Sequence, residues 1–409
     1  MWMQCNKGDM TAAPSGDGVL VPESDSAKSL TCVRSLGSRG IRTIVAAEDP
    51  SRSPAAASRY CDETVTVPSP HENLLAYKNA LQSFAARDDV ATIIPNREED
   101  AFVLARYRSE FAAHVAPVWP SFEALAVAQD GFALAEAAAE AGIRVPETQL
   151  FDDVTDWDRE LILKARYAVL TDAYADFLGP TECEGQIPPR QHSPGDPPDR
   201  QEVLDHMLGH VPVVQEYVPI GTEYSVRALY DEGEAVMTSV RRQDRGMSYA
   251  GGASVFRQLV ENPELEALAR RLLDHLEWHG LATVQFIEEA GTGAYWLLEI
   301  NPRTWTSIPC DVRAGADYPY AVWQLAVGDR EGIDPTHEVG FATHLLYGEV
   351  KYLTSVLTKE YPNVDRPTFG RSVWEVLASV YTHPNFDYLT GDDPRPFLRA
   401  IRNQVAEAR

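Results

Sequence analysis

The sequence predicts an α/β domain, then two α+β lobes, then a helical C-terminal extension. Three observations carry this reading. β-Branched runs alternate with helical patterns over residues 18–118, the rhythm of a parallel sheet. Between residues 148 and 303, apolar runs come in pairs separated by Gly or Pro breaks, as in hairpins. Beyond Ala316 the apolar residues take helical spacing.

The first domain opens with strand Gly18–Pro22, helix Ala27–Arg39 ending at Gly40, and β-branched strand Ile41–Ala47. Gly37 and Gly40 fall at the helix end, where they cap it, so they form no dinucleotide fingerprint. Strands Glu63–Pro68 and Val90–Pro95 flank helix Glu72–Ala86. Helix Asn96–Arg108 carries Glu98, Glu99 and Asp100 in its first turn, where acids complement the dipole and read as caps. Residues 18–118 thus read as a Rossmann-like domain, after a flexible tail (1–17) without the apolar core of a signal peptide. Helices Phe122–Val127 and Phe132–Ala141 lead to a strand at 148–151 and to Leu161–Lys164. The Pro-rich stretch 179–199 reads as a mobile loop, with lid and plain insertion both open. Glu234–Arg242 is a strand and Asn262–Gly280 an amphipathic helix. Helices are expected at Tyr318–Val327, Phe341–Glu360, Val373–Ser379 and Pro396–Arg409, with 383–393 irregular.

Two short runs, Thr283–Ile287 and Tyr295–Ile300, flank a Gly-Thr-Gly turn, and the second closes on Glu299, Asn301 and Arg303. Alternate residues of a strand share a face, so these three side chains line up. A carboxylate and an amide oxygen are hard ligands suited to Mg²⁺, and a guanidinium clamps phosphate. Upstream, Val213–Val218 is an apolar strand broken by Pro219 and Gly221, which frees backbone groups near Glu216–Val218 for an adenine edge. Glu223 comes next, in position for ribose hydroxyls. Leu161–Lys164 ends a buried run on a lysine, costly unless an anion meets it. Arg241, Arg242 and Arg245 beside Gly251-Gly252 read as an anion site for substrate, since glycine backbone N–H groups allow close approach.

These pieces, LILK (161–164), VVQEYVPIGTEYS (213–225), GGASV (251–255) and VQFIEE…YWLLEINPR (284–303), resemble the ATP-grasp superfamily, in its carboxylate–amine ligase-like branch. The resemblance covers roughly residues 15–330 and implies a pre-ATP-grasp domain (18–118), an ATP-grasp core (119–330) and an extension (331–409). It implies that Lys164 and Arg303 act on phosphates, and that Gln215, Glu216, Tyr217 and Val218 form the adenine hinge. Glu223 would bind ribose; Glu299, Asn301 and Gln285 would hold Mg²⁺ or Mn²⁺. The implied reaction joins a small-molecule carboxylate to an amine with ATP, through an acyl phosphate. Three departures are visible: Gln285 stands where the family has a carboxylate, Gly131 comes after Asp130 where a lysine is usual, and no glycine-rich loop succeeds Lys164. They keep a second class open, a degenerate nucleotide-binding regulator. An oxidoreductase is disfavoured, because no G-x-G-x-x-G comes after the first strand.

Composition bounds the rest. Sixty-one acidic against 36 basic residues give a net charge of −25, with no polybasic patch for nucleic acid or anionic lipid. That surface fits a salt-rich, halophilic cytoplasm, where screening removes self-repulsion. The five scattered cysteines form no C-x-x-C pair and fit a reducing compartment. No run of 18 apolar residues is present. Self-association as a homodimer stays open.

Overall fold

The computed structural model describes residues 16–24, 26–185, 187–361 and 364–407; most of the expected N-terminal tail lies outside them. Four parallel strands come first, in the order Glu63–Thr66, Thr43–Ala47, Gly18–Pro22, Val90–Ile93. Gly18–Pro22 and Thr43–Ala47 are buried along their whole length, as expected of a sheet covered on both faces. Helix Ala27–Gly37 starts at Ser26, whose hydroxyl accepts from the Lys28 N–H, a side-chain N-cap. Its buried Leu30, Val33 and Leu36 share one apolar cluster with Leu229, Leu281, Trp305 and Tyr318 from later in the chain. The first domain and the large sheet beyond it are therefore packed as one body.

A small antiparallel sheet holds Thr148–Leu150, Val213–Glu216, Leu161–Lys164 and Arg190–His192, in that order. The Pro-rich stretch thus supplies an edge strand paired to Leu161–Leu163. A six-stranded antiparallel sheet comes next, ordered Tyr295–Asn301, Gly280–Glu289, Ile220–Asp231, Glu234–Ser248, Gly251–Val260, Ala342–His344. Its last strand lies within the helix expected at 341–360. Ala342–His344 instead pairs with Phe256–Gln258, a long-range partner that local helical spacing cannot reveal. The helix begins at Leu346 and runs to Thr358. Helices Phe369–Thr382 and Arg395–Glu407 complete the chain.

Period-two alternation gives the large sheet two unlike faces. Val226, Ala228, Val240, Ala282, Val284 and Phe286 point one way, into a cluster with Leu265, Ala269, Leu272 and Leu273 of helix Pro263–His275 and with Leu134 and Ala138. Each large side chain buried there contributes about 1.5–3 kcal/mol. Odd-numbered residues of the same strands, among them Ser225, Arg227, Arg241, Gln285 and Thr283, point the other way. The segment after helix Phe369–Thr382 runs back across the molecule. Asp387 forms a fully buried pair with Arg257 of the large sheet. Asp393 then takes hydrogen bonds from Arg34 Nε (2.9 Å), Ser58 Oγ (2.7 Å) and the Arg59 N–H (3.0 Å) of the first domain.

Candidate active site

Strand Gly280–Glu289 pairs with Tyr295–Asn301 so that Gln285 faces Glu299 and Thr283 faces Asn301. The register shifts between Gln285 and Phe286, bulging at Leu298. Gln285 Nε2 donates to Glu299 Oε1 at 2.7 Å, and Asn301 Nδ2 donates to the same oxygen at 2.8 Å. Arg303 Nη2 donates to Asn301 Oδ1 at 2.9 Å, and its Nε pairs with Glu98 Oε1 at 2.9 Å. The side chains expected to line up do so, in the order Gln285, Glu299, Asn301, Arg303.

Glu299 is exposed, and its charge reaches three other parts of the molecule. On the small sheet, burial pulls Lys164 below its ordinary value and Glu299 opposes that pull. On the first domain, burial raises Glu98, Arg303 lowers it, and Glu299 raises it again. Across the large sheet, burial raises Glu223, Arg241 and Gln243 oppose, and Glu299 adds to the rise. One carboxylate thus sits where both sheets and the first domain converge.

At the hinge, Gln215 Nε2 donates to Thr148 Oγ1 at 3.0 Å, and the Glu216 carboxylate accepts from the Glu147 N–H at 3.0 Å. The Tyr217 N–H bonds the Glu160 carbonyl at 3.1 Å. The Gln215 and Glu216 side chains are therefore committed to the small sheet, leaving backbone groups for any base edge. Among the described residues, no backbone acceptor meets the Val218 N–H.

The expected substrate group divides. Arg241 is buried on the same face as Glu223 and Gln285, its Nε and Nη2 donating to Ser225 Oγ at 3.0 and 2.9 Å. Burial, Arg227 and Arg257 together pull it down to about 9. Alternation turns Arg242 to the opposite face of its strand, onto Asp244 (2.7 Å) and Gln258 (3.1 Å), where it lines a cavity of about 1410 Å³ together with Tyr217, Glu223, Arg245 and Gly251. Arg245 pairs with Glu349 of helix Leu346–Thr358 at 2.7 Å. Gly251 has φ +109°, and a Cβ there would come within 3.1 Å of Glu223 Oε1. Only glycine holds that close approach without strain. The Gly251-Gly252 turn thus lies against Glu223, with the Gly252 carbonyl accepting from Gln243 Nε2 at 3.0 Å. Asp130 caps helix Gly131–Glu140, and its positive partner is Arg166, held through Nε and Nη2 at 2.7–3.0 Å.

Sequence reasoning missed a second group. Of the acids read as caps, only Asp100 caps, accepting from the Asn96 and Arg97 N–H groups. Glu98 pairs with Arg303, and Glu99 with His71 at 3.2 Å. Together with Ser24, Ser26, Lys28, Arg97 and Thr306 they line a cavity of about 410 Å³. It opens at the carboxyl ends of Gly18–Pro22 and Val90–Ile93, neighbours followed by helices that pack on opposite faces of the sheet. Ligands of open parallel sheets bind at such a switch point. The sheet order carries that signal, and no single motif does. Lys28 there is lowered to about 7, first by burial and then by Arg303.

The donor set suits a hard cation held jointly with phosphate. Among the described residues no three His, Cys, Asp or Glu side chains converge. Glu299 with the amides of Asn301 and Gln285 instead matches the way Mg²⁺ binds, through one or two carboxylates plus substrate oxygens.

Residues 210–345, a third of the chain reaching from the hinge past the hairpin, match the family "ATP-grasp in the biosynthetic pathway with Ter operon". No curated protein sequence matches the chain. Solved structures with a similar fold include the biotin carboxylase domain dimer of Hydrogenobacter thermophilus 2-oxoglutarate carboxylase, in complex with MgADP, ADP and bicarbonate. That pair has 14% identity and a TM-score of 0.60 over 79% of this chain and 73% of that one. An L-amino acid ligase from Bacillus licheniformis gives 11% and 0.58 over 81% and 79%. A Rhizobium etli pyruvate carboxylase gives 16% and 0.58 over 80% of this chain, which spans 29% of that carboxylase. The fold is the ATP-grasp fold.

Proposed function

We propose, from this ATP-grasp fold, that the protein is an ATP- and Mg²⁺-dependent ligase joining a carboxylate to an amine. The observation that carries the reading is the position of Glu299, bonded to Gln285 and Asn301 and felt electrostatically by Lys164, Glu98 and Glu223. ATP would lie between the sheets, its base at the 215–218 hinge and its ribose at Glu223. When bound at Glu299 and Asn301, Mg²⁺ would neutralise charge on the phosphate oxygens. Lys164 and Arg303 would stabilise the charge of the transferring phosphoryl group. The substrate carboxylate takes the γ-phosphoryl group to give an acyl phosphate, which the amine then attacks, releasing phosphate. Positioning and electrostatics suffice, without a protein nucleophile. We place the acceptor in the switch-point cavity, which Arg303 joins to the metal face.

The test is release of ADP on adding paired libraries of carboxylates and amines. Lys164→Met should lower turnover by about 10²–10³. A second reading, a nucleotide-binding regulator, is favoured by the uncharged Gln285 beside Glu299. It would be supported by tight MgADP binding with no stimulation by any carboxylate or amine.

A further inference from the structure

Helix Phe369–Thr382 buries only Ser372 and Val376 completely. On the side away from them, Trp374, Leu377 and Tyr381 recur at i, i+3 and i+7 and are 71%, 60% and 87% exposed. The neighbouring helix Leu346–Thr358 repeats the pattern with Val350 (65%) and Leu357 (57%). A helix that is apolar on both its inner and outer faces is ordinarily covered on both. These five side chains leave roughly 500–800 Å² of apolar surface open, at ~150–250 Å² for a large side chain. That approaches the ~800 Å² each partner contributes to a stable interface.

Charge says what covers it. Residues 346–382, the two helices and their link, hold four of the 36 basic residues and four of the 61 acidic ones, so the whole charge of −25 resides outside them. A second copy could approach this neutral end without the repulsion that the rest of the chain would impose. An anionic bilayer would repel so acidic a protein. We propose that the chain forms a two-fold dimer in which the Trp374, Leu377 and Tyr381 stripe packs against the same stripe of a second copy. A self-complementary patch on one helix is what a two-fold contact requires. Because like charges flank the neutral patch, salt should strengthen the dimer by screening them.

The experiment is sedimentation of the full chain up to about 100 µM, where a micromolar Kd is fully expressed, at low and high salt. The expected result is a dimer, tighter in salt, that L377E combined with Y381E converts to a monomer while MgADP binding and the far-UV spectrum stay unchanged. Trp374→Ser alone should weaken the dimer at least tenfold. The proposal is overturned if the wild type is a monomer throughout. It is equally overturned if the double variant remains a dimer, or if a monomeric wild type floats with phosphatidylglycerol vesicles and the double variant does not.

Discussion

The two faces of the large sheet are made by the same strands and obey different rules. On one face Val284 and Phe286 meet helix Pro263–His275 and are sealed from water. One residue away, Gln285 reaches across to the exposed Glu299. The apolar face is held by contacts any well-packed core would make. Side chains of the polar face bond chiefly to one another, in a row ending at Glu98 of another domain. Stability and the proposed chemistry thereby fall to alternate residues, so substitutions one position apart should have separable effects.

The largest effect should come from Glu299→Ala. Mg²⁺-dependent turnover should vanish while the melting temperature hardly moves, because the carboxylate is exposed and supports no core. A folded variant with an unchanged Mg²⁺ requirement would remove Glu299 from the metal site. Phe286→Ala tests the opposite face. A fully buried phenylalanine should cost about 3–5 kcal/mol in denaturant titration, with the Mg²⁺ requirement of the remaining folded protein unchanged. If instead the Mg²⁺ requirement shifts at constant stability, the faces are not independent.

Lys28 sharpens the contrast at the far end of the polar row. Its folded-state value of about 7 lies below the ordinary 10.5, so between these limits the unfolded chain holds the extra proton and stability rises with pH. Lys28→Met removes that dependence. Its gain in melting temperature over wild type should be greatest below about pH 7 and fade as pH approaches ~10.5. A gain independent of pH would show that the ammonium is not strained by burial. The smallest effect is expected of Gln285→Glu, which adds a charge next to Glu299 and should tighten Mg²⁺ by about tenfold, or ~1.4 kcal/mol. An equal or weaker Mg²⁺ requirement in the wild type would make the glutamine a structural brace.

Much of the polar row was legible, because strand alternation and one hairpin turn determine which of residues 283–303 share a face. The same alternation separates Arg241 from Arg242, a signal present in the sequence. Glu98, His71 and Lys28 were not legible as site residues, since Glu98 meets Arg303, His71 meets Glu99 and Lys28 meets the Asn96 carbonyl only through long-range packing. Ala342–His344 was lost for a related reason: an edge strand of three residues is defined by its partner, and its own spacing resembles that of the helix next to it. The C-terminal helices looked like packing elements, and nothing in their spacing told which of their apolar residues the fold would leave outside.

Asp393 gives the order of synthesis a part in the folding. Arg34, Ser58 and Arg59 emerge from the ribosome early, but the carboxylate that joins them is made 334–359 residues later. The first domain must wait through more than 330 further residues of synthesis with that guanidinium and hydroxyl still in water. Its attachment closes only once Asp393 has been made, so a chain cut before that residue leaves the N-terminal domain unlatched.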